Sequence, residues 1–391
     1  MKFTLLVFAL VAGFALTDFV AVDARVSTPV QTQLTVTAVN KLKIARTGET
    51  IELTAKDLAT LAEKDLNKLH VLDSSGKEVL SQSVDTDYDD YHKPDTLIFQ
   101  SDFAPGETKT FTITAGSKRV YQKDDFRAYG RFARERFDDF AWENDRIAHR
   151  TYGKALITWK GEPLTSSAID IWSKRTSKLV INDWYMVDNY HTDLGEGADL
   201  YSAGPTRGVG ASGIWANNQL YVPTNFVDSR VLTNGPIRVM FELVYDPFDV
   251  NGTQVSKVLR VSLDAGSQLN HFQPTYRAQS PLAVAVGFKK VKDEKREVNA
   301  ERGWVTIWQP VDKNLGMQGL AVVLNSGEVE KLAEDARNNL IVLKPRTSFP
   351  VSYWAGFAWD RAGRIPSAEA WNKYVDEFAE RLRSPIEVTV K

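Results

Sequence analysis

The sequence has no cysteine. That excludes a disulfide, a thiolate nucleophile, an iron–sulfur cluster, a zinc finger and lipid attachment at an N-terminal cysteine. Histidine is scarce, and His70, His92, His149, His191 and His271 are the whole set. Neither charge is in excess, with 48 basic against 50 acidic residues, so there is no electrostatic footprint for nucleic acid. Beyond the first residues no apolar run is long enough to span a membrane. No nucleophile elbow, P-loop, dinucleotide fingerprint or His-Glu-x-x-His pair occurs. The Gly-rich stretch 204–210 lacks a following Lys-Ser/Thr and reads as a turn region. What is present is a 391-residue chain with 43% hydrophobic and 25% charged residues and ten tryptophans. That length and composition describe a folded protein of about two or three units and exclude a largely disordered one.

Residues 1–24 read as a secretory signal. Lys2 gives a positive start, Phe3 to Leu16 is an apolar run with one Thr, and Val22 and Ala24 are small residues at signal-peptidase spacing. The alternative is a buried N-terminal helix. The expectation is an exported, periplasmic, soluble chain that is not a lipoprotein. Having no disulfide, it needs a large core for stability.

Residues 25–118 read as a small β-sandwich. QLTVTAVN alternates from Leu34, and short strands follow at turn-punctuated intervals. A short helical stretch is expected near 56–66. Residues 119–391 read as a large antiparallel β-sandwich, in which KALITW, IRVMFELVYDPF, SKVLRVSLD, LAVAVGFKKV, GWVTIWQPV and LAVVLN carry the apolar alternation. Near the end, Trp371, Tyr374, Val375, Phe378 and Leu382 have helical spacing behind a capping Ser367. The expected fold is therefore mainly β, two sandwiches with one C-terminal helix.

Histidine is the natural proton carrier near neutral pH. His70 and His271 sit in strand-like segments, where a structural role is the simpler reading, and His92 lies in an acidic loop. His149 lies in WENDRIAHRTYG beside Arg146, Arg150 and Tyr152. His191 lies in WYMVDNYHTDLGEGADLYSAG beside Asp193, Glu196, Asp199 and Tyr201. The second stretch is rich in glycine and polar groups, as a loop is, and loops are where function concentrates. Glu143, Asp145, Glu196 and Asp199 admit two readings. They are an acid–base pair for glycoside hydrolysis, or groups that orient histidine and arginine. A third reading places a divalent metal on His191, Asp193, Glu196 and Asp199, although the spacing matches no strong metal motif and the sequence requires no cofactor. The aromatics Phe140, Trp142, Trp172, Trp184, Tyr185, Tyr190 and Trp215 cluster around these motifs. They divide between core and a wall that stacks on the apolar face of a sugar ring.

The blocks FDDFAWENDRIAHRTYG, SSAIDIWSKR, WYMVDNYHTDLGEGADLYSAG, RVLTNGPIRVMFEL, LDAGSQLNHF and YWAGFAWDRAG resemble, in that order, the bacterial family catalogued as domain of unknown function 4861. The resemblance spans about residues 30–385. It implies an exported protein of polysaccharide degradation. One branch of the family is similar to an oligosaccharide dehydratase of the ulvan pathway, which acts on a uronic acid at the non-reducing end. The later half also looks like the large sandwiches of mutarotases and some polysaccharide lyases, at the level of fold alone.

Such a dehydration removes H5, expels the C4 hydroxyl and leaves a 4,5-unsaturated ring. It needs a cation for the carboxylate, a base for H5 and an acid for the leaving hydroxyl. Arg146 or Arg150 suits the first role, and His149 or His191 the second. Tyr201, Tyr190 or the other histidine suits the third. Trp142, Glu143, Trp184, Tyr190, Glu196, Asp199 and Trp215 are the candidates for sugar binding. His149 and Arg150 face opposite sides if they share a strand, so they are not partners there. The rivals are a glycoside hydrolase, a non-catalytic sugar-binding protein, and a mutarotase or epimerase. The expected partner is a uronic-acid-containing oligosaccharide, with no nucleic acid and no membrane span.

Overall fold

The computed structural model describes residues 31–86, 93–161, 163–187, 189–347 and 350–391. The expected signal segment and His92 lie outside the described residues. Among the described residues no helix is long and apolar enough to cross a membrane.

The chain is mainly β. The small unit packs a three-stranded sheet (Arg46–Thr54, Thr96–Phe103, Ser81–Val84) on a five-stranded one. Period-two alternation builds it: Leu34, Val36 and Ala38 turn inward from Gln33–Val39, toward Ile51, Leu53, Leu97 and Phe99. The segment near 56–66 is not an α-helix. It is a hydrogen-bonded turn, with Leu58 N donating to Thr54 O, followed by the short 3-10 helix Leu66–Lys68. The five-stranded sheet gains its edge strand from the far end of the chain, since Glu387–Val390 pairs antiparallel with Gln33–Val39. Four residues that the sequence reading gives to the large unit thus complete the small one.

The large unit is built on an eight-stranded antiparallel sheet running from Asp228–Asn234 at one edge to Lys295–Asn299 at the other. Two five-stranded sheets cover one face. One holds Ala128–Ala133, Asp139–Asn144, Ala148–Thr151, Ile169–Lys174 and Gly197–Ala198. The other holds Val209–Ala216, Ala283–Lys289 and their neighbours. The apolar core lies between, with Phe140 stacked on Phe241 at 4.1 Å and Val261, Phe272, Val286 and Leu320 buried around them. The opposite face is covered by the helix Ala368–Arg383, whose Ser367 side chain accepts from Ala370 N and caps it as its sequence indicates. That helix buries Trp371, Val375 and Ala379 against Trp304, Trp308 and Val323. The small unit docks beside it, through Val84 and Ile98 against Leu232, Ile237 and Met240.

Candidate active site

The sheet that contains Ala148–Thr151 has two unlike faces. Trp142, His149 and Ile171 are cross-strand neighbours and turn toward the core. Ala141, Arg150 and Asp170 occupy the next row and turn outward. Residues 175–187 and 189–199 fold over that outer face. Their short helix Ile181–Tyr185 packs Trp184 and Tyr185 on Trp172, and Tyr190 joins them. This segment, rich in glycine and aspartate, forms almost no ladder and is held by side chains. Asp193, for example, accepts from Gly195 N and Gly197 N.

Under this cap Arg150 organises a charged cluster. Its Nε donates to Asp170 Oδ2 at 3.0 Å, and Tyr152 OH donates to the same oxygen at 3.0 Å. Its Nη2 lies 3.0 Å from Asp199 Oδ2, its Nη1 3.8 Å from Asp139 Oδ2, and its Nη1 donates to Tyr190 OH at 3.4 Å. Arg136 also donates to Tyr190 OH and lies over the Tyr190 and Tyr185 rings. His191 stands at the outside, with 57% of its side chain exposed and Nδ1 3.5 Å from Asp199 Oδ2.

Three carboxyl groups thus share two guanidinium groups in a dry environment. Burial pushes the Asp139 carboxyl up to about 7 against the pull of Arg150. Burial also raises Asp199, again opposed by Arg150 and reinforced by Asp170. Burial thus favours the protonated form of both carboxyls. Burial works against the Arg150 charge, but Asp199 and Asp170 outweigh it and keep the group protonated. His191 is lowered by desolvation and by the two arginines, so its imidazole is neutral and able to accept a proton.

Two further features mark the place. Asp139 Oδ1, Asp199 Oδ2, Arg136 Nε, Tyr185 OH and Trp172 Nε1 are buried without a hydrogen-bond partner. Asp199 Oδ2 is close to Arg150 but misaligned for a hydrogen bond. Buried polar groups are normally satisfied, so five open ones around one cluster indicate polar matter that the protein alone does not supply. The turn entering Asp139 is also strained. Phe137 and Asp138 are consecutive left-handed residues, at φ 55° and 65°, each costing on the order of 1–3 kcal/mol. Gly153 makes room for that turn, since a Cβ there would lie 1.7 Å from Asp138 O. Phe137 carries a stacked Trp159 at 4.4 Å, which is 38% exposed.

The sequence-predicted residues divide. Arg150, Tyr190, Asp199 and His191 converge. His149 does not join them. It is fully buried between Trp142 (5.1 Å, stacked) and Phe357, and its Nε2 meets Asn270 Nδ2 at 2.9 Å. Burial lowers it to about 3, so it is a neutral core histidine out of a substrate's reach. Tyr201 is buried toward the core and donates to Gly208 O at 3.1 Å. Trp142 is core and donates to Asn270 Oδ1. Glu143 is wholly buried, accepting from Lys174 Nζ at 2.5 Å and Ile181 N at 2.8 Å. Trp184 is an inner member of the aromatic cap. Glu196 is on the surface, paired with Lys178. Trp215 is half-buried in the other five-stranded sheet. Arg146 lines a separate cleft at the far end of the outer face. His70 bonds Glu78 and Ser117 O, and His271 bonds Ser352 and stacks on Trp354. Among the described residues no three His, Asp or Glu are placed to hold a metal.

Asp139, Asp170 and Arg136 were missed by sequence reasoning, while Tyr185 belongs to the aromatic group that the sequence singles out. A period-two count from Arg150 puts Asp170 and Asp139 on its face once the strand pairing is known, but the pairing register is not written in either strand alone.

A family model described as a domain of unknown function, DUF4861, matches residues 39–388. An "uncharacterized protein P7" of Formosa agariphila is 32% identical over 372 residues, covering 91% of this chain and 93% of that one. A solved structure titled as a protein in the glycosyl hydrolase family 38 from Enterococcus faecalis aligns with a TM-score of 0.53 at 12% identity, over 92% of this chain and 48% of that one. An α-mannosidase from Enterococcus faecalis V583 aligns at 0.51 and 11% identity, over 92% and 46%. At these identities the likeness is one of fold, and the chain spans about half the length of either solved structure.

Proposed function

Because the chain belongs to the domain-of-unknown-function 4861 family, we propose that it is a carbohydrate-active dehydratase with the Arg150 cluster as its active site. The substrate is an oligosaccharide, of the ulvan type, ending in a uronic acid at its non-reducing end. The product is the 4,5-unsaturated uronate, made in the periplasm by an exported enzyme. The observation that carries this reading is His191. It is a neutral, exposed imidazole standing on a buried Asp–Arg–Tyr network in which Asp139 Oδ1, Asp199 Oδ2 and Arg136 Nε lack hydrogen-bond partners.

Each step has a group. Arg136, with Nε unpartnered, takes the uronate carboxylate and stabilises negative charge as the enolate develops. His191 removes H5. The Tyr190 hydroxyl accepts from Arg136 and Arg150, which leaves its own proton to give. It protonates the C4 hydroxyl as the C4–O bond breaks. Water departs and the C5–H electron pair becomes the C4–C5 double bond. The H5 proton on His191 then returns to the cluster through Asp199, 3.5 Å from His191 Nδ1, and reprotonates Tyr190, which restores the starting state. The stacked Phe137 and Trp159 offer an apolar face to the sugar ring.

Glycoside hydrolysis is the second reading, favoured by the two raised carboxyl groups Asp139 and Asp199. Incubation with saturated, uronate-ended oligosaccharides separates the readings. Loss of one water with rising near-ultraviolet absorbance supports dehydration. Gain of water with chain shortening supports hydrolysis. Binding without product leaves a sugar-binding protein and refutes both.

A further inference from the structure

The turn between strands Asp139–Asn144 and Ala148–Thr151 places Arg146 in a cleft with Lys174, Gln268, Trp359 and Arg364. The enclosed volume there is only about 10 Å³, so the cleft is shallow, and Arg364 is exposed to solvent beside it. This end of the face is about four residues along the strand from Asp139, or roughly 13 Å. The aromatic cap of Trp172, Trp184 and Tyr185 lies over the face between, so the cleft is a separate place and not an arm of the Arg150 cluster.

Its charges are unbalanced in a specific way. Lys174 is spent on Glu143 and Asn144 O. Arg175 is paired with Asp193 and covers the Trp359 ring at 4.8 Å. The two remaining cations are poorly served. Arg146 Nε reaches Asp145 Oδ2 only at 3.7 Å, and Arg364 Nη1 reaches the Asp145 carbonyl only at 3.5 Å. Asp145 itself is engaged elsewhere, accepting from Gly266 N at 2.6 Å. Burial lowers Arg364, and repulsion from Arg146 adds to this. About ten N–H donors therefore line one cleft with two long contacts between them. Like charges held together this way are relieved by an anion, and the planar fork of each guanidinium matches two oxygens of one oxyanion. Arg364 directly follows YWAGFAWDRAG, a block that the Arg150 cluster does not use.

We propose that the Arg146–Arg364 cleft is an oxyanion site that takes one carboxylate or sulfate group, distinct from the active site proposed above and independent of it. Glu143, Asp145 and Asp193 set against Lys174, Arg175, Arg146 and Arg364 leave a single positive charge, which suits one singly charged group over a dense polyanion.

The test is calorimetric titration of the full chain with sodium sulfate, and separately with sodium acetate, at ionic strength held constant with chloride. Saturable 1:1 binding is expected for one or both anions, and the preferred anion identifies the group. Arg364→Gln and Arg146→Gln should each weaken that binding at least tenfold with an unchanged circular-dichroism spectrum. His191→Ala, at the other site, should leave it within twofold. Binding unaltered in both arginine variants, or no saturable binding of either anion, would overturn the proposal without touching the dehydration reading.

Discussion

Lys257 gives the sharpest test of the electrostatic reasoning. It occupies an inward position of Thr253–Asp264, where its face-mates Val255, Leu259, Val261 and Leu263 are all buried. Its cross-strand neighbours are Tyr245 and Tyr276, whose ring centroids lie 4.5 and 5.6 Å from Nζ. Its hydrogen bond to Ser212 O is long, at 3.4 Å. Among the described residues neither Lys257 nor the nearby buried Arg207 has an ion-pair partner. Two terms compete. A desolvated ammonium over an aromatic ring gains about 2 kcal/mol, while stripping its water costs several. Burial dominates, helped by Arg207, and Lys257 is pushed well below the ordinary lysine range. Folding therefore weakens this amine's hold on its proton, and that is a cost to the folded state. Lys257→Met keeps the volume and removes that cost, so it should stabilise the protein by on the order of 1–4 kcal/mol at pH 7. With the folded value lowered, the unfolded chain binds this proton more tightly than the folded one, so wild-type stability rises with pH toward 10.4 while the variant lacks that slope. Urea unfolding followed by tryptophan fluorescence should show a gap at pH 7 that closes by about pH 10. A variant less stable than wild type at pH 7, or a gap equal at both pH values, would refute the argument.

Asp139 titrates in the opposite sense. Its folded value is raised to about 7, so its stabilising contribution is complete below its unfolded value and is lost as pH rises from about 4 to 7. Asp139→Asn should remove a few kcal/mol of that slope, measured as unfolding free energy against pH. Tyr190→Phe removes the proposed proton donor and should lower turnover by about 10²–10⁴-fold with the fold retained, read as kcat on a uronate-ended oligosaccharide. Wild-type kcat would remove Tyr190 from the mechanism. Trp371→Ala empties the contact beneath the C-terminal helix, where Trp371 is fully buried and donates to Leu320 O at 2.9 Å. It should cost about 3–5 kcal/mol, visible as a lower urea midpoint.

Much of the fold was legible because period-two alternation survives in single strands. Gln33–Val39 and Thr253–Asp264 show it, and the spacing of Trp371, Val375 and Phe378 identifies the helix. The strand Glu387–Val390 was not legible. It is four residues long, and its partner lies at the other end of the chain. At the site, the same periodicity separated His149 from Arg150 and did so soundly, but it could not say which face was wet. Histidine chemistry drew attention to His149, whereas the register put its row against Phe357 and the Arg150 row under the cap. Trp142 went inward for the same reason, Trp184 is buried within the cap from its short helix, and the exposed ring is Trp159. Asp139 and Asp170 matter only through partners on neighbouring strands, which one strand's sequence does not specify.

The most direct test of the central reading is product mass and near-ultraviolet absorbance after the chain acts on a saturated, uronate-ended oligosaccharide, run beside His191→Ala. The account expects loss of one water with rising absorbance in the wild type, and no product from a folded variant. Unchanged substrate with the wild type across such oligosaccharides, or undiminished dehydration by His191→Ala, would contradict it.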